Sequence, residues 1–317
     1  MKKVSVVVPT YNEEDNVIPL SKAIQECFQN ELPSYEFDII YIDNKSKDGT
    51  RQKLEQLCEH NKHIKAIFNL KNFGQFNSPY HGLCAADSDC AILLCADFQD
   101  PIELIPSFVR EWEKGATVVC GIKTSSKENG FIYFLRSLYY KAVKKMSDIT
   151  QIKHFTGFGL YDNSFLEILR QLRDPIPFLR GLVAEYAPDH AEIQYQQQKR
   201  RAGKTKNNWY TLYDAAMLSF TSYTKIGLRV ATILGFVIAI LSFLVALVYL
   251  VLKLIYWDRF LAGTVPMLIG VFFMGALQLF FIGFLGEYIM NINTRVIDRP
   301  LVIEEKRFNF EKKEDVN

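Results

Sequence analysis

At 317 residues and 36.6 kDa the chain is long enough for two ordinary domains, and its formal net charge of +2 excludes a general nucleic-acid binder, which would be strongly basic. Its six cysteines, at 27, 58, 84, 90, 95 and 120, include no CxxC pair and read as small apolar fillers in a reducing compartment.

The opening KKVSVVVPTYNEEDNV predicts a valine strand stopped by Pro9, then an acidic turn, then a helix through VIPLSKAIQECF, whose apolar spacing is helical. The apolar run VSVVV is too short, and too soon followed by acids, for a secretory signal peptide, so the first 225 residues are expected on the side where they are made. A second unit, FDIIYIDNKSKDGT, gives a strand ending at Asp43, a polar turn and a helix beginning near Thr50. A third runs from IKAIFNL through KNFGQFNSPYHGLCAA, and a fourth is AILLCADFQDP. Strands alternating with helices predict an α/β fold with a mostly parallel sheet covered by helices on both faces. Ligands bind such sheets outside the carboxyl ends of the strands. Glu13, Asp43, Asp48 and Asp97 all follow strand ends, and so converge on one crevice.

Each of these acids also has a plainer reading. Asp43 to Gly49 suits an Asx-type turn with Thr50 capping a helix, and Glu13 and Glu14 favour a helix N-terminus. Asp97 and Gln99 suit a loop that satisfies its own backbone. Together, however, Asp97, Gln99 and Asp100 at the end of a buried apolar run have the look of ligands. A carboxylate and an amide oxygen one residue apart offer hard donors to Mg²⁺ or Mn²⁺, ions that leave their other positions to water and substrate phosphates. Asp43 and Asp48 can accept hydrogen bonds from a uracil or a ribose. The chain has no P-loop and no GxGxxG, which argues against a kinase or a dehydrogenase and leaves a nucleotide used as a leaving group.

Further along, FIYFLRSLYYKAVKKM (131 to 146) sets Phe131, Leu135, Leu138, Tyr139 and Met146 on an apolar face among four cations. NWYTLYDAAMLSFTSY repeats apolar residues at Trp209, Leu212, Tyr213, Ala216, Met217 and Phe220. Both read as interfacial helices, or else as helices packed on the soluble core. Between them, His154 in KHFTGFGLYD reads as a structural donor, and Gly157 and Gly159 as places of close backbone approach at an acceptor channel. Arg200, Arg201, Lys204 and Lys206 are suited to phosphate contacts by charge-assisted bonds, or to anionic lipid headgroups.

Two apolar segments follow. Residues 226 to 252 are uncharged apart from Arg229, and 265 to 285 carry no charge, so each can cross the roughly 30 Å hydrocarbon core as a helix. Two spans return the tail to the starting side, where Arg295, Arg299, Lys306 and Arg307 give a small positive-inside excess. The expected organisation is a nucleotide-binding part at 1–130 and a part at 131–225 that carries the two amphipathic segments. The two spans occupy 226–290, at about 226–252 and 265–287, and a cytoplasmic tail fills 291–317. Gln278 and Glu287, in or at the end of the second span, suit helix joining between subunits, hence a homo-oligomer.

The set VVVPTYNEEDNV, IDNKSKDGT, NFGQ and ADFQDPIE, followed by FLRGLVAEY (178 to 186), KRRAGKTKNNW (199 to 209) and two apolar segments, resembles the membrane-attached glycosyltransferase family 2 enzymes that make polyprenyl-phosphate sugars. The resemblance implies a GT-A fold, a nucleotide-sugar donor with a lean to UDP-glucose, a polyprenyl phosphate acceptor, a divalent metal (Mg²⁺ or Mn²⁺) and inversion at the anomeric carbon. It implies an integral protein of a bacterial inner membrane with a cytoplasmic catalytic domain, and no nucleic-acid partner. Residue by residue, Pro9, Tyr11 and Glu13 are expected at the nucleotide, Asp43 at its base, Asp97 and Gln99 at the metal, and Arg136 and Ser137 at the acceptor phosphate. Arg201 and Thr205 join that acceptor-phosphate group, while Arg200 and Lys206 are expected to act in catalysis with Asp97 and Gln99. Two departures stand out: Cys95 replaces the first acid of the family's DAD motif, and the RxxGxSK segment has Thr205 for Ser. A processive polysaccharide synthase is disfavoured by two spans and no QxxRW motif. A nonenzymatic membrane scaffold would have no need of Asp97 and Gln99 together.

Overall fold

The computed structural model describes residues 1–124, 152–172, 174, 177–198, 217, 226–255, 264–297 and 299–310. The chain forms two compact units. One comprises Met1–Arg136, Ile149–Asn208 and Ile297–Asn317, the other Ser137–Asp148 and Trp209–Val296. The two expected interfacial helices, apart from Met217, lie outside the described residues, as do Arg136, Ser137, Arg200, Arg201, Lys204, Thr205 and Lys206.

In the first unit, four parallel strands stand in the order β4 (Cys90–Leu93), β1 (Lys3–Thr10), β2 (Glu36–Asp43), β3 (Ile64–Asn69). β5 (Val118–Lys123), β6 (Phe155–Asp162), β7 (Ala191–Tyr195) and β8 (Glu304–Phe308) complete an eight-stranded sheet ordered β7-β5-β6-β4-β1-β2-β3-β8. The sheet is mixed: β6 runs antiparallel to β4 and β5, and β8 antiparallel to β3.

Both faces of the central strands are buried, so their sequences run apolar without alternating. Val4, Val6 and Val8 of β1 enter one core with Leu20, Ile24 and Phe28 of α1 (Val17–Glu31), Leu54 of α2 (Thr50–His60) and Phe108 and Trp112 of α4 (Ile105–Glu113). Val7 enters the opposite core with Tyr80 and Leu83 of α3 (Gly74–Ala85), Phe165 and Leu169 of α5 (Asn163–Leu172) and Val183 of α6 (Leu179–Tyr186). Each such fully buried side chain contributes about 2 kcal/mol of transfer free energy. Three layers, helix on sheet on helix, result, as the alternating pattern predicts. All six cysteines are free, and burial pushes the thiols of Cys58 and Cys84 up to about 12, which suits inert fillers.

Gly159 does mark a close approach, between neighbouring strands of the sheet. A Cβ there would run into the backbone carbonyl of Val119 on β5, opposite which β6 pairs. Replacing Gly159 by Ala is therefore expected to cost about 3 kcal/mol, since backbone must move to admit the methyl group. A denaturant melt that shifts by less than a third of that would show that β5 yields.

The segment expected as a tail carries β8, which completes the sheet against the edge of β3. Its sequence EEKRF has no apolar alternation to announce a strand.

The second unit contains α7 (Ile226–Ile255) and α8 (Thr264–Val296), of 30 and 33 residues. At 1.5 Å per residue these are about 45 and 50 Å long. Both outlast the apolar segments read from the sequence. α8 continues through EYIMNINTRV, which contains no Gly or Pro, and stops shortly before Pro300. Among the described residues one stretch, Phe273–Met290, is long and apolar enough to cross a membrane, and none of it is buried. On α7, Phe236, Leu241, Val245 and Leu254 are exposed in the same way.

Candidate active site

β2 and β3 follow β1 on one side of it, and β4 lies on the other. The connections therefore part between β1 and β4, and the carboxyl ends at such a switch point are where open α/β sheets bind ligands. The loops after β1, β2 and β4 carry Tyr11 to Asn16, Asn44 to Gly49 and Leu94 to Pro101.

The first two loops are interlocked by hydrogen bonds. Asn12 N–H donates to Ser46 Oγ at 2.8 Å, and Lys47 N–H returns to Asn12 Oδ1 at 2.7 Å. Glu13 N–H donates to Thr50 Oγ1 at 2.8 Å, while Glu14 Oε2 accepts from Gly49 N–H at 2.8 Å. A Cβ at 49 would lie 2.6 Å from that same Glu14 oxygen, so a larger residue there would displace the Glu14 carboxylate from its bond. The Glu13 carboxylate accepts from Asn16 Nδ2 at 2.7 Å.

Asp48 does what the plainer reading of its segment describes. One oxygen accepts from Thr50 N–H and from Thr50 Oγ1, at 3.1 and 2.6 Å, and so ties off the start of α2. Asp43 is fully buried at the end of β2. It accepts from Ser46 N–H at 3.1 Å and from Arg51 Nε at 2.5 Å. Its carboxylate thus fixes the loop 44–49 from beneath.

Asn44 extends the lock to the loop after β3. Its Oδ1 accepts from Phe73 N–H at 2.8 Å, and its Nδ2 donates to Asn72 Oδ1 and Gly74 O, at 2.9 and 3.0 Å. The NFGQ stretch is held against the second loop by one amide. Neither Asn44 nor Arg51 was singled out from sequence. The available signal was Arg51 itself: a cation in the first turn of a helix opposes the macrodipole and calls for a carboxylate to hold it.

After β4, Asp97 is nearly buried and accepts from Gln99 N–H through Oδ1 at 3.1 Å. Phe98 between them has φ of 60°, a left-handed conformation. Asn12 and Lys45, in the other two loops, have φ of 56° and 64°. Non-glycine residues in this region cost energy and gather at functional sites. Here one stands in each of the three loops at the crevice.

Asp100 departs from the ligand reading. It is almost fully buried and accepts from Cys95 N–H at 3.2 Å and from Tyr195 Oη–H at 3.0 Å. Burial pushes its carboxyl above the ordinary range, against the pull of those hydrogen bonds. It closes the loop on itself and on β7. Beside it, Gln198 N–H donates to Gln99 O at 3.1 Å, so the chain entering the basic segment is pinned to this loop. Cys95, where the resemblance leads one to expect an acid, is exposed.

Among the described residues no three His, Cys, Asp or Glu side chains gather at metal-binding spacing. Asp97 and the Gln99 amide supply two hard oxygens, a set that fits an ion whose remaining ligands are water and a diphosphate. His154 is exposed, with φ of 60°, and its carbonyl accepts from Lys123 N–H. That is a backbone role.

Comparison with known proteins gives a match to the model of glycosyl transferase family 2 over residues 5–170. The chain is 30% identical over 305 residues to the SfII prophage-derived bactoprenol glucosyl transferase of Shigella flexneri, covering 96% of this chain and 98% of that protein. It is 29% identical over 302 residues to the prophage bactoprenol glucosyl transferase homolog of Escherichia coli (strain K12), covering 95% and 98%. Among solved structures, glucosyl-3-phosphoglycerate synthase from Mycobacterium tuberculosis in complex with Mn²⁺, UDP and glucosyl-3-phosphoglycerate aligns over 69% of this chain and 78% of that one, at 14% identity and a TM-score of 0.48.

Proposed function

We propose, from the premise that the chain belongs to glycosyl transferase family 2, that it moves a sugar from a nucleoside diphosphate to a polyprenyl phosphate at a membrane surface, with inversion and with UDP-glucose as the donor. The observation that carries the donor half is the turn Asp97–Phe98–Gln99 at the end of β4, held in a left-handed conformation beside the interlocked loops of β1 and β2. The acceptor half is supported by the near-full-length likeness to bactoprenol glucosyl transferases.

A membrane site is supported by connectivity. The chain leaves the first unit before α7 and rejoins its sheet at β8 after α8, so any crossings must be even in number. α7 and α8 as two spans satisfy that, and the exposed apolar side chains of both helices then face lipid rather than water. The first unit and the strand β8 fall on one side, the cytoplasmic one by the positive-inside excess. Two lone spans also offer surface for a homo-oligomer.

In the reaction an oxygen of the acceptor phosphate forms a bond to the anomeric carbon as the bond from that carbon to the diphosphate oxygen breaks, and the nucleoside diphosphate leaves. A phosphate monoester has its second pKa near 6, so the nucleophile is already anionic at neutral pH and no dedicated general base is required. Asp97 and Gln99 would hold a Mg²⁺ or Mn²⁺ ion, which supplies charge stabilisation to the departing diphosphate. Pro9, Tyr11, Glu13 and the loop fixed by Asp43 and Asp48 take the nucleotide. Arg200 and Lys206 take phosphate oxygens in catalysis, and Arg136, Ser137, Arg201 and Thr205 the acceptor phosphate, by charge-assisted bonds.

The test is transfer from a panel of radiolabelled UDP- and GDP-sugars to polyprenyl phosphate in detergent, with Mg²⁺, with Mn²⁺ and with chelator. Label is expected in the lipid with UDP-glucose and is expected to vanish in chelator. No labelled lipid from any donor, with nucleotide binding intact, would instead favour a scaffold.

A further inference from the structure

β8 is an edge strand built almost wholly of charged residues, and its charges are not spread evenly over its neighbours. The ladder to β3 pairs Lys306 with Phe68 and Glu304 with Asn69, so Glu305 is the extra residue of a β-bulge. Bulges re-aim side chains and recur beside active sites. The Glu305 carboxylate accepts from Lys45 Nζ at 2.7 Å and from Arg51 Nη1 at 2.9 Å. Lys45 is the left-handed residue of the loop after β2. Arg51 passes from Glu305 to Asp43 Oδ2 at 2.5 Å, and Asp43 in turn accepts from Ser46 N–H.

Anchoring the strand does not require Glu305. Glu304 holds His81 at 2.5 Å and Arg307, and those hydrogen bonds keep its carboxyl at about 2 even though burial pushes it up. Asn309 Nδ2 donates to Cys58 O and Ile64 O at 2.7 and 2.8 Å, Leu70 N–H donates to Ile303 O at 2.9 Å, and the Phe308 ring lies 5.3 Å from that of Phe68. Glu305 is directed instead at the loop 44–49, from above through Lys45 and from beneath through Arg51 and Asp43.

We propose that Glu305, on the strand that follows the apolar helices, is a positioning residue for the donor nucleotide, acting through Lys45 and Arg51 on the loop 44–49. The proposal rests on the reading of that loop as part of a nucleotide site. It ties donor affinity to the chain that emerges from α8, since residues 297 to 303 alone separate Val296 from β8. A donor pocket so built is complete only when the last part of the chain is in place.

The test is titration calorimetry of the full chain in detergent with UDP and, separately, GDP in the presence of Mn²⁺, alongside steady-state transfer. For Glu305→Gln the Kd of the nucleotide that the wild type binds is expected to rise about fivefold, as for loss of a partly exposed ion pair at the upper end of its range. The donor KM rises with it, while kcat and the acceptor KM stay within about twofold, the signature of lost uniform binding. Arg51→Lys alone weakens the nucleotide too, and the double variant is expected to lose less than the product of the two, because both changes break one chain of contacts. An unchanged Kd in Glu305→Gln, strict additivity with Arg51→Lys, or a lowered melting midpoint with an unchanged Kd would overturn the proposal alone. A wild type that binds neither nucleotide would overturn the reading beneath it.

Discussion

Asp97→Ala is expected to abolish metal-dependent transfer, lowering kcat by at least about 100-fold, the usual scale for removing one group that stabilises developing charge. The carboxylate is almost buried and accepts from Gln99 N–H, two residues further along the loop. A melting curve of the variant that matches the wild type is the control that separates lost catalysis from lost folding. Binding gives the readout independent of turnover: wild-type affinity for UDP should fall when Mn²⁺ is chelated, and that of Asp97→Ala should be low with or without the ion. Transfer that persists at wild-type level in the variant, or in chelator, would remove Asp97 and the metal from the mechanism together.

Arg51→Met is expected to destabilise the first unit by about 3 kcal/mol, the lower end for breaking a buried ion pair by deleting one partner. Asp43 has no exposed surface, and among the described residues the Arg51 guanidinium is the charged group that pairs with it. The same guanidinium donates to Asn69 O at 2.6 Å and lies over the Phe68 ring at 4.9 Å, so methionine replaces part of the packing but none of the hydrogen bonds. In a domain of this size the melting midpoint should fall by about 10 °C. A fall of no more than about 2 °C would mean that Asp43 finds another partner. It would also weaken the route from Glu305 to the loop.

Much of the first unit was legible because its signals are local. VSVVV, FDIIYID and AILLCA read as strands buried on both faces, and the polar residues after them read as the rim of a crevice. The structure sets Pro9 and Asp43 at the ends of β1 and β2, and Tyr11, Glu13, Asp48, Asp97 and Gln99 on the loops that follow β1, β2 and β4. What these side chains do there was less legible. Asp48 and Asp100 have the composition of ligands but accept within the protein, Asp48 from Thr50 and Glu14 and Asp100 from Cys95 and Tyr195. A carboxylate after a strand is free for a ligand only if no nearby donor claims it, and Tyr195 stands 95 residues from Asp100.

The sequence by itself determined the layered α/β architecture, the polar loops at the carboxyl ends of the strands and the two long apolar helices, because periodicity and strand-end chemistry are properties of short windows. The tertiary structure alone decided the antiparallel half of the sheet, the return of EEKRF as its edge and the chain from Glu305 through Arg51 to Asp43. The contact of Glu305 with Arg51 joins residues 254 apart in sequence and needs β8 paired with the open edge of β3, while that of Arg51 with Asp43 spans eight residues. A charged strand without apolar alternation takes its conformation from its partner, and no local pattern records who that partner is.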